Sequence, residues 1–383
     1  MTKPLMVHVI TNFAGVGGAE MMLARLIQFT EDHYQHVIIS LMKTSEVYQS
    51  TLDRCQSHYA LGWNGINTLS TIKKLRGLLK QLQPKNVQCW MYHANALTSL
   101  SVIGLAQKPN VIWGIHHSLA SPKDESISTK IALGLSKVLS QQPSAIIYCA
   151  HSSKQQHIDF GFQNAHQHVI ANGVFLDKFQ PNVQLNQPTV IGFAGRYHTA
   201  KGYPYLFETM GLLKDENIIF KIAGSGASLD NPEVKYLFEQ YQLDAKKVHL
   251  LDQISDMPTF YQSIDAFLMT SITEGFPNVL VEAMASGLPC ISTDVGDAKY
   301  IVQDLGSIVP PRNAQALAEA ILQYAQKTEA EKQALKQATR ERVEQNFSIA
   351  TVSRQSTFPQ VRRRASRCIP SGPRARSVPC PRR

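Results

Sequence analysis

Thr273-Glu274-Gly275-Phe276-Pro277-Asn278-Val279-Leu280-Val281-Glu282-Ala283-Met284-Ala285-Ser286-Gly287-Leu288-Pro289 is the stretch on which the reading of this chain turns. An apolar run, residues 264–271, leads into it as a buried strand does. Pro277 and Asn278 suit a helix start, and Gly287 followed by Pro289 suits a helix end. The start of such a helix offers unpaired N–H groups and the positive end of a dipole, so it can hold a diphosphate. Glu274 precedes the helix and Glu282 lies about one turn inside it. A carboxylate accepts well from paired sugar hydroxyls, so the two glutamates can grip two ends of one ligand. Physical chemistry alone favours a plainer alternative, with Glu282 on a solvated helix face.

Working outward, residues 189–195 start a run of strands and helices, with further strands expected at 218–223, 264–271, 290–293 and 306–309. Helices are expected at 314–324 and 329–345, the second so charged that it should be mostly solvated. Upstream, residues 5–13 are almost continuously apolar, as in a parallel strand buried on both faces. The glycine loop Ala14-Gly15-Val16-Gly17-Gly18 follows, then Ala19, Met22, Leu23, Leu26 and Ile27 on one helical face. Further strands are expected at 36–41, 87–92, 111–115 and 145–149. This alternation predicts parallel sheets covered by helices on both faces. Residues 164–186 are polar and read as irregular, which places the boundary between domains at 1–181 and 182–355.

The chain has 383 residues, enough for two domains, and 44% are hydrophobic, ordinary for a globular protein. No apolar run approaches bilayer length, and Met1 leads almost directly into the first strand, so neither a membrane span nor a leader is expected. Six scattered cysteines suit a reducing cytoplasm and form no zinc spacing. The net charge of +9 divides unevenly: +6 over residues 1–172, −5 over 173–355 and +8 over 356–383. The body is close to neutral, so nucleic acid is not an expected partner. The segment 356–383 contains eight arginines, five prolines and no acid, and is expected to be disordered.

The segment around Glu274 and Glu282 resembles the Glu-x7-Glu motif of the group 1 (family 4) retaining glycosyltransferases, which have the GT-B fold. That resemblance implies two Rossmann-like domains facing a central cleft. It gives Glu274 the transferred sugar and Glu282 the nucleotide ribose, with Gly275, Phe276, Pro277, Asn278, Val279 and Leu280 also at the donor. Gly195-Arg196-Tyr197-His198-Thr199-Ala200-Lys201-Gly202 resembles the family's Gly-Arg-x4-Lys-Gly segment, so Arg196 and Lys201 are expected to neutralise the donor diphosphate. An Arg fork and a Lys point charge suit that task. Gly15-x-Gly17-Gly18-x-Glu20 resembles the N-terminal glycine loop, placing Gly17 and Gly18 at the donor. Gly224-Ser225-Gly226 resembles the second glycine loop, placing Gly224 and Gly226 beneath the nucleotide. In Trp113-Gly114-Ile115-His116-His117-Ser118, His116 falls where many relatives carry a histidine near the reacting sugar; His117 is the weaker choice. Asp294-Val295-Gly296-Asp297 is not the Asp-x-Asp metal motif, so no metal and no cofactor beyond the nucleotide-sugar co-substrate are expected.

The resemblance implies hexosyl or N-acetylhexosaminyl transfer, from a UDP-sugar above other donors, to a glycan or lipid-linked acceptor of cell-surface polysaccharide synthesis. A cytoplasmic protein, peripheral to the inner face of the membrane, fits that chemistry. Residues 70–82 present Ile72, Leu75, Leu78, Leu79 and Leu82 beside Lys73, Lys74, Arg76 and Lys80; packing on its own sheet is the favoured reading, and a helix lying beside anionic lipid is the alternative. Two other classes stay open: a catalytically silent glycan-binding partner protein, and a Rossmann oxidoreductase, whose Gly-x-Gly-x-x-Gly fingerprint and following acid are both lacking. Relatives end in a helix that crosses back to the first domain. Nothing after Ser356 can form it, so the chain is expected to lack that tie and to be weakly stable.

Overall fold

The computed structural model describes residues 3–15, 17–181 and 184–356. The first half runs β1 (Leu5–Ile10), α1 (Gly18–Thr30), β2 (Gln35–Ser40), α2 (Gln49–Leu52), β3 (Ser57–Ala60), α3 (Thr68–Leu82), β4 (Asn86–Trp90), α4 (Tyr92–Ser101), β5 (Asn110–Ile115), α5 (Ile127–Leu139), β6 (Ala145–Tyr148), α6 (His151–Phe160) and β7 (Gln167–Val169). The second runs β8 (Thr189–Ala194), α7 (Tyr203–Leu212), β9 (Ile218–Ala223), α8 (Pro232–Gln240), β10 (Val248–Leu250), α9 (Met257–Gln262), β11 (Ala266–Met269), α10 (Asn278–Ala285), β12 (Cys290–Thr293), α11 (Ala298–Val302) and β13 (Ser307–Val309). Three helices close it: α12 (Ala314–Ala325), α13 (Glu329–Asn346) and α14 (Ile349–Ser356).

The strands form two sheets, ordered β3-β2-β1-β4-β5-β6-β7 and β10-β9-β8-β11-β12-β13. Every pairing is parallel. Strand order reverses between β1 and β4, and again between β8 and β11. Loops leaving neighbouring strands diverge at such points and open a crevice at the carboxyl ends. The N-terminal glycine loop follows β1 and the Gly-Arg-x4-Lys-Gly segment follows β8, so both lie at these crevices.

Strands β1 and β8 are buried from their second residue onward, as cover on both faces requires. His8, mid-strand in β1, is accommodated by a polar chain: its Nε2 lies 3.0 Å from His36 Nδ1, and His36 Nε2 lies 3.1 Å from Thr30 Oγ1. Strand β7 falls inside the segment expected to be irregular.

The structure bears out the favoured reading of α3. The apolar stripe of α3 does not face outward: Leu75 and Leu79 are buried in the first-domain core, with Ile72, Leu78 and Leu82 packed beside them. Arg76, half-buried, donates to the carbonyls of Ser101 and Ile103. Helix α13 is largely solvated as expected and turns one face inward: Lys336, Thr339 and Val343 are buried, and Arg340 donates to the carbonyls of Phe179 and Ala285. The crossing helix expected to be absent is present as α14. Ile349 and Val352 pack with Leu23, Leu26 and Ile27 of α1, and a Cβ on Gly173 would come within 2.9 Å of Ile349 Cα. The tie is made upstream of Ser356, by an i, i+3 apolar pair too short to stand out. The remainder of the arginine- and proline-rich segment lies outside the described residues.

Candidate active site

The loops after β1, β5, β6, β7, β8, β9, β10, β11 and β13 enclose a cleft of about 1110 Å³. Helices α1 and α10 both start on it. Neither N-cap residue supplies a side-chain cap; the Glu20 carboxylate lies over the first turn of α1, and the start of α10 keeps first-turn N–H groups available to an anion. A Cβ on Gly18 would lie 3.4 Å from Asn278 Nδ2, so the two helix starts face each other.

Glu274 meets Lys201 here. Lys201 Nζ donates to Glu274 Oε1 at 2.6 Å, and Ser271 Oγ donates to the same oxygen at 2.8 Å. Gly202, at φ +67°, makes this contact possible. A Cβ there would sit 2.1 Å from the Thr270 carbonyl, so only glycine lets the turn carrying Lys201 pack on the end of β11. Gly224 acts similarly: at φ +146° its Cβ would be 2.1 Å from the Gly195 carbonyl, so the two glycine loops abut. Arg196 is exposed on the same wall.

Glu282 is not on a solvated face. It is 8% exposed, and Arg25 Nη2 donates to its Oε1 at 2.6 Å. Tyr261 Oη lies 3.4 Å from Oε2, and its phenol is pushed well up by burial and by this carboxylate. Arg25 comes from α1 in the first domain and also donates to the Gly173 carbonyl at 3.0 Å. One guanidinium thus joins α1, the linker and α10.

His116 is enclosed, its ring stacked on Trp90 at 5.0 Å. Asn172 Nδ2 donates to Asn278 Oδ1 at 2.9 Å, which leaves Asn172 Oδ1 to accept from His116 Nδ1 at 3.2 Å. Burial lowers the imidazole to about 4, with the Asn172 hydrogen bond opposing. His116 is therefore neutral near pH 7 and links the first domain to the start of α10. His117 pairs with Glu125 at 2.6 Å. A second inter-domain joint forms where Asp297 accepts from the backbone N–H groups of His151 and Ser152 at 2.7 and 2.9 Å.

Of the residues singled out, Gly17, Gly18, His116, Arg196, Lys201, Gly224, Glu274, Gly275, Phe276, Pro277, Asn278, Val279 and Glu282 all line this cleft. Two do not. Leu280 points from α10 into the second-domain core and is fully buried. Gly226 is not among the lining residues; its N–H donates to Asp252 Oδ1 at 2.8 Å. Arg25, Asn172 and Arg312 were not legible locally. Arg312, at φ +61°, reaches the cleft from the loop after β13. Among the described residues no group of His, Cys, Asp and Glu side chains could hold a metal ion.

Two facing Rossmann-like domains with this cleft define the GT-B class, and known proteins carry the assignment further. Residues 16–178 match the family described as Glycosyltransferase Family 4, and residues 188–327 that described as Glycosyl transferases group 1. The structure is similar to that of Alr3699/HepE from Anabaena in complex with UDP-glucose, with a TM-score of 0.75 and 18% identity over 94% of this chain and 99% of that one. It is also similar to a glycosyltransferase from Rickettsia africae, with a TM-score of 0.78 and 18% identity over 96% and 100%. In sequence it is 24% identical over 262 residues to the UDP-Gal:alpha-D-GlcNAc-diphosphoundecaprenol alpha-1,3-galactosyltransferase of Escherichia coli, covering 62% of this chain and 66% of that protein. It is 29% identical over 194 residues to the capsular polysaccharide biosynthesis glycosyltransferase CapM of Staphylococcus aureus, covering 46% and 50%. The chain spans about half the length of the curated relatives it matches. The chain belongs to the group 1 (family 4) glycosyltransferases.

Proposed function

We propose that the protein is a retaining glycosyltransferase that moves a sugar from a nucleotide-diphosphate sugar, with UDP as the favoured nucleotide, to a glycan or lipid-linked acceptor of cell-surface polysaccharide synthesis. The observation that carries this reading is the meeting of Lys201, Glu274 and two helix starts in one cleft. In this reading Arg196 and Lys201 neutralise charge that grows on the diphosphate as the sugar bond breaks. Glu274 accepts from hydroxyls of the transferred sugar. Glu282, held by Arg25 at Oε1 and met by Tyr261 at Oε2, accepts from the ribose through the lone pairs that remain. As the family resemblance implies, the acceptor attacks from the face the diphosphate leaves, and the departing diphosphate takes the acceptor's proton. The protein contributes orientation and charge stabilisation.

Two relatives favour UDP and a lipid-borne acceptor: the Anabaena structure holds UDP-glucose, and the Escherichia coli enzyme is named for UDP-Gal and a diphosphoundecaprenol. A cytoplasmic site at the inner membrane face follows from that acceptor. A thermal-shift panel of UDP-, GDP- and ADP-sugars tests the reading. A true donor at a hundred times its dissociation constant stabilises the fold by about 2.7 kcal/mol. No shift with any of them, and a shift with NAD, would instead favour an oxidoreductase.

A further inference from the structure

The rim of the first domain carries an apolar surface that neither the core nor the cleft uses. Ile66, Leu69, Ile127 and Ile131 are 95%, 77%, 77% and 67% exposed. They come from the starts of α3 and α5, some sixty residues apart in sequence, and the structure joins those starts over the beginning of α4. Trp63 Nε1 donates to Thr68 Oγ1 at 3.0 Å, the Trp63 ring lies 5.0 Å from that of His93, and His93 Nε2 is 2.9 Å from Ser128 Oγ. Single exposed aliphatics are ordinary, but four at one edge mark an interaction surface.

Charge says what covers it. Lys73 on α3, and Lys123 and Lys130 beside the start of α5, are exposed around the patch; the nearby acids are Asp124 and Glu125, the latter paired with His117. Residues 1–172 carry a net charge of +6. Large aliphatics ringed by lysines suit the boundary between anionic headgroups and acyl chains. The patch also runs directly into residues 117–125, whose loop lines the cleft. Among the described residues no helix is long and apolar enough to cross a membrane.

We propose that this patch seats the first domain on an anionic lipid bilayer, with Ile66, Leu69, Ile127 and Ile131 in the acyl–headgroup boundary and Lys73, Lys123 and Lys130 at the phosphates. The inference rests on the acceptor being lipid-linked, since such a molecule then reaches the cleft over residues 117–125 without leaving the surface. It replaces the α3 stripe, which is packed inward.

Co-sedimentation of the full chain with phosphatidylglycerol/phosphatidylcholine vesicles, and with phosphatidylcholine alone, tests this. The chain should bind the anionic vesicles and be released by salt. Ile127→Ser/Ile131→Ser and Ile66→Ser/Leu69→Ser should each weaken binding roughly tenfold. Lys123→Gln/Lys130→Gln should weaken it roughly fivefold per lysine on anionic vesicles alone. Val138→Ser, 78% exposed at the far end of α5, should change nothing. No wild-type binding, or equal binding by the isoleucine variants, overturns the proposal. So does a wild-type dimer in light scattering that Ile127→Ser/Ile131→Ser dissociates without affecting lipid binding. Nucleoside diphosphate release from the donor, measured without vesicles, should be the same in all these variants. If wild type binds vesicles and releases none, docking stands and the transferase reading fails.

Discussion

Replacing Arg25 by alanine should unseat the joint between the domains. Its guanidinium makes two charge-assisted contacts, 2.6 Å to Glu282 Oε1 and 3.0 Å to the Gly173 carbonyl. Both side chains of the pair are largely enclosed, at 16% and 10% exposure. Arg25→Ala leaves the Glu282 carboxylate with only Tyr261 Oη, at 3.4 Å. Removing one partner of a buried pair costs about 3–5 kcal/mol, and the residual exposure brings that to about 2–3 kcal/mol. At roughly 2–4 °C per kcal/mol for domains of this size, Tm should fall by about 5–10 °C. Urea unfolding of Arg25→Ala, Glu282→Gln and the double variant forms a cycle, in which the two losses should fall short of additive by about 1 kcal/mol or more. The same variants should show Arg25 acting through Glu282. Arg25→Ala should weaken UDP binding in the wild-type background and add little once Glu282 is Gln. Additive losses, or unchanged UDP affinity in Arg25→Ala, would refute this positioning role.

Glu282→Gln should weaken UDP binding by roughly 10- to 150-fold, since a hydrogen bond to a charged group is worth about 1.5–3 kcal/mol; calorimetry that finds wild-type affinity removes the ribose assignment. Gly224→Ala drives a Cβ to 2.1 Å from the Gly195 carbonyl and should lower both Tm and nucleotide affinity, whereas an unchanged melting curve would mean the two glycine loops are free to part. Stability should fall in acid. Burial holds His8 well below its ordinary value and lowers His36, His116 and His157 to about 4, while the unfolded chain titrates near 6.5. The unfolded state therefore binds more protons between these values. Stability is full above about pH 6.5 and is lost below it, by up to about 1.4 kcal/mol per pH unit for each histidine. A Tm that stays level from pH 8 to pH 5 contradicts this.

Long apolar runs made most of the fold legible. Strands β1, β5, β6, β8, β9 and β11 are each largely buried, so their sequences are almost continuously hydrophobic. The start of α10 was legible from Pro277-Asn278 and its end from Gly287, at φ +73°. Strands β3, β7 and β10 escaped because they are three or four residues long and only partly buried. The cleft walls could be read because each glycine loop follows its own strand. Arg25 could not: its partner is 257 residues away, and nothing in the α1 pattern sets it apart from other polar helix residues. The same holds for Asn172, which joins His116 to Asn278 only after both domains have formed. For α3, periodicity reports an apolar face without saying what that face meets, so sheet packing and lipid contact stood as alternatives until the fold was known.

Cleavage of a UDP-hexose tests the central claim most directly. The full chain should release UDP from at least one of UDP-glucose, UDP-galactose and UDP-N-acetylglucosamine, faster with an acceptor present. Proton NMR should show the donor's anomeric configuration kept in the transferred sugar. Glu274→Gln should bind free UDP much as wild type does yet lose turnover, because its partner is the sugar. UDP release undiminished in Glu274→Gln, an inverted product, or no release from any donor that binds would contradict the account.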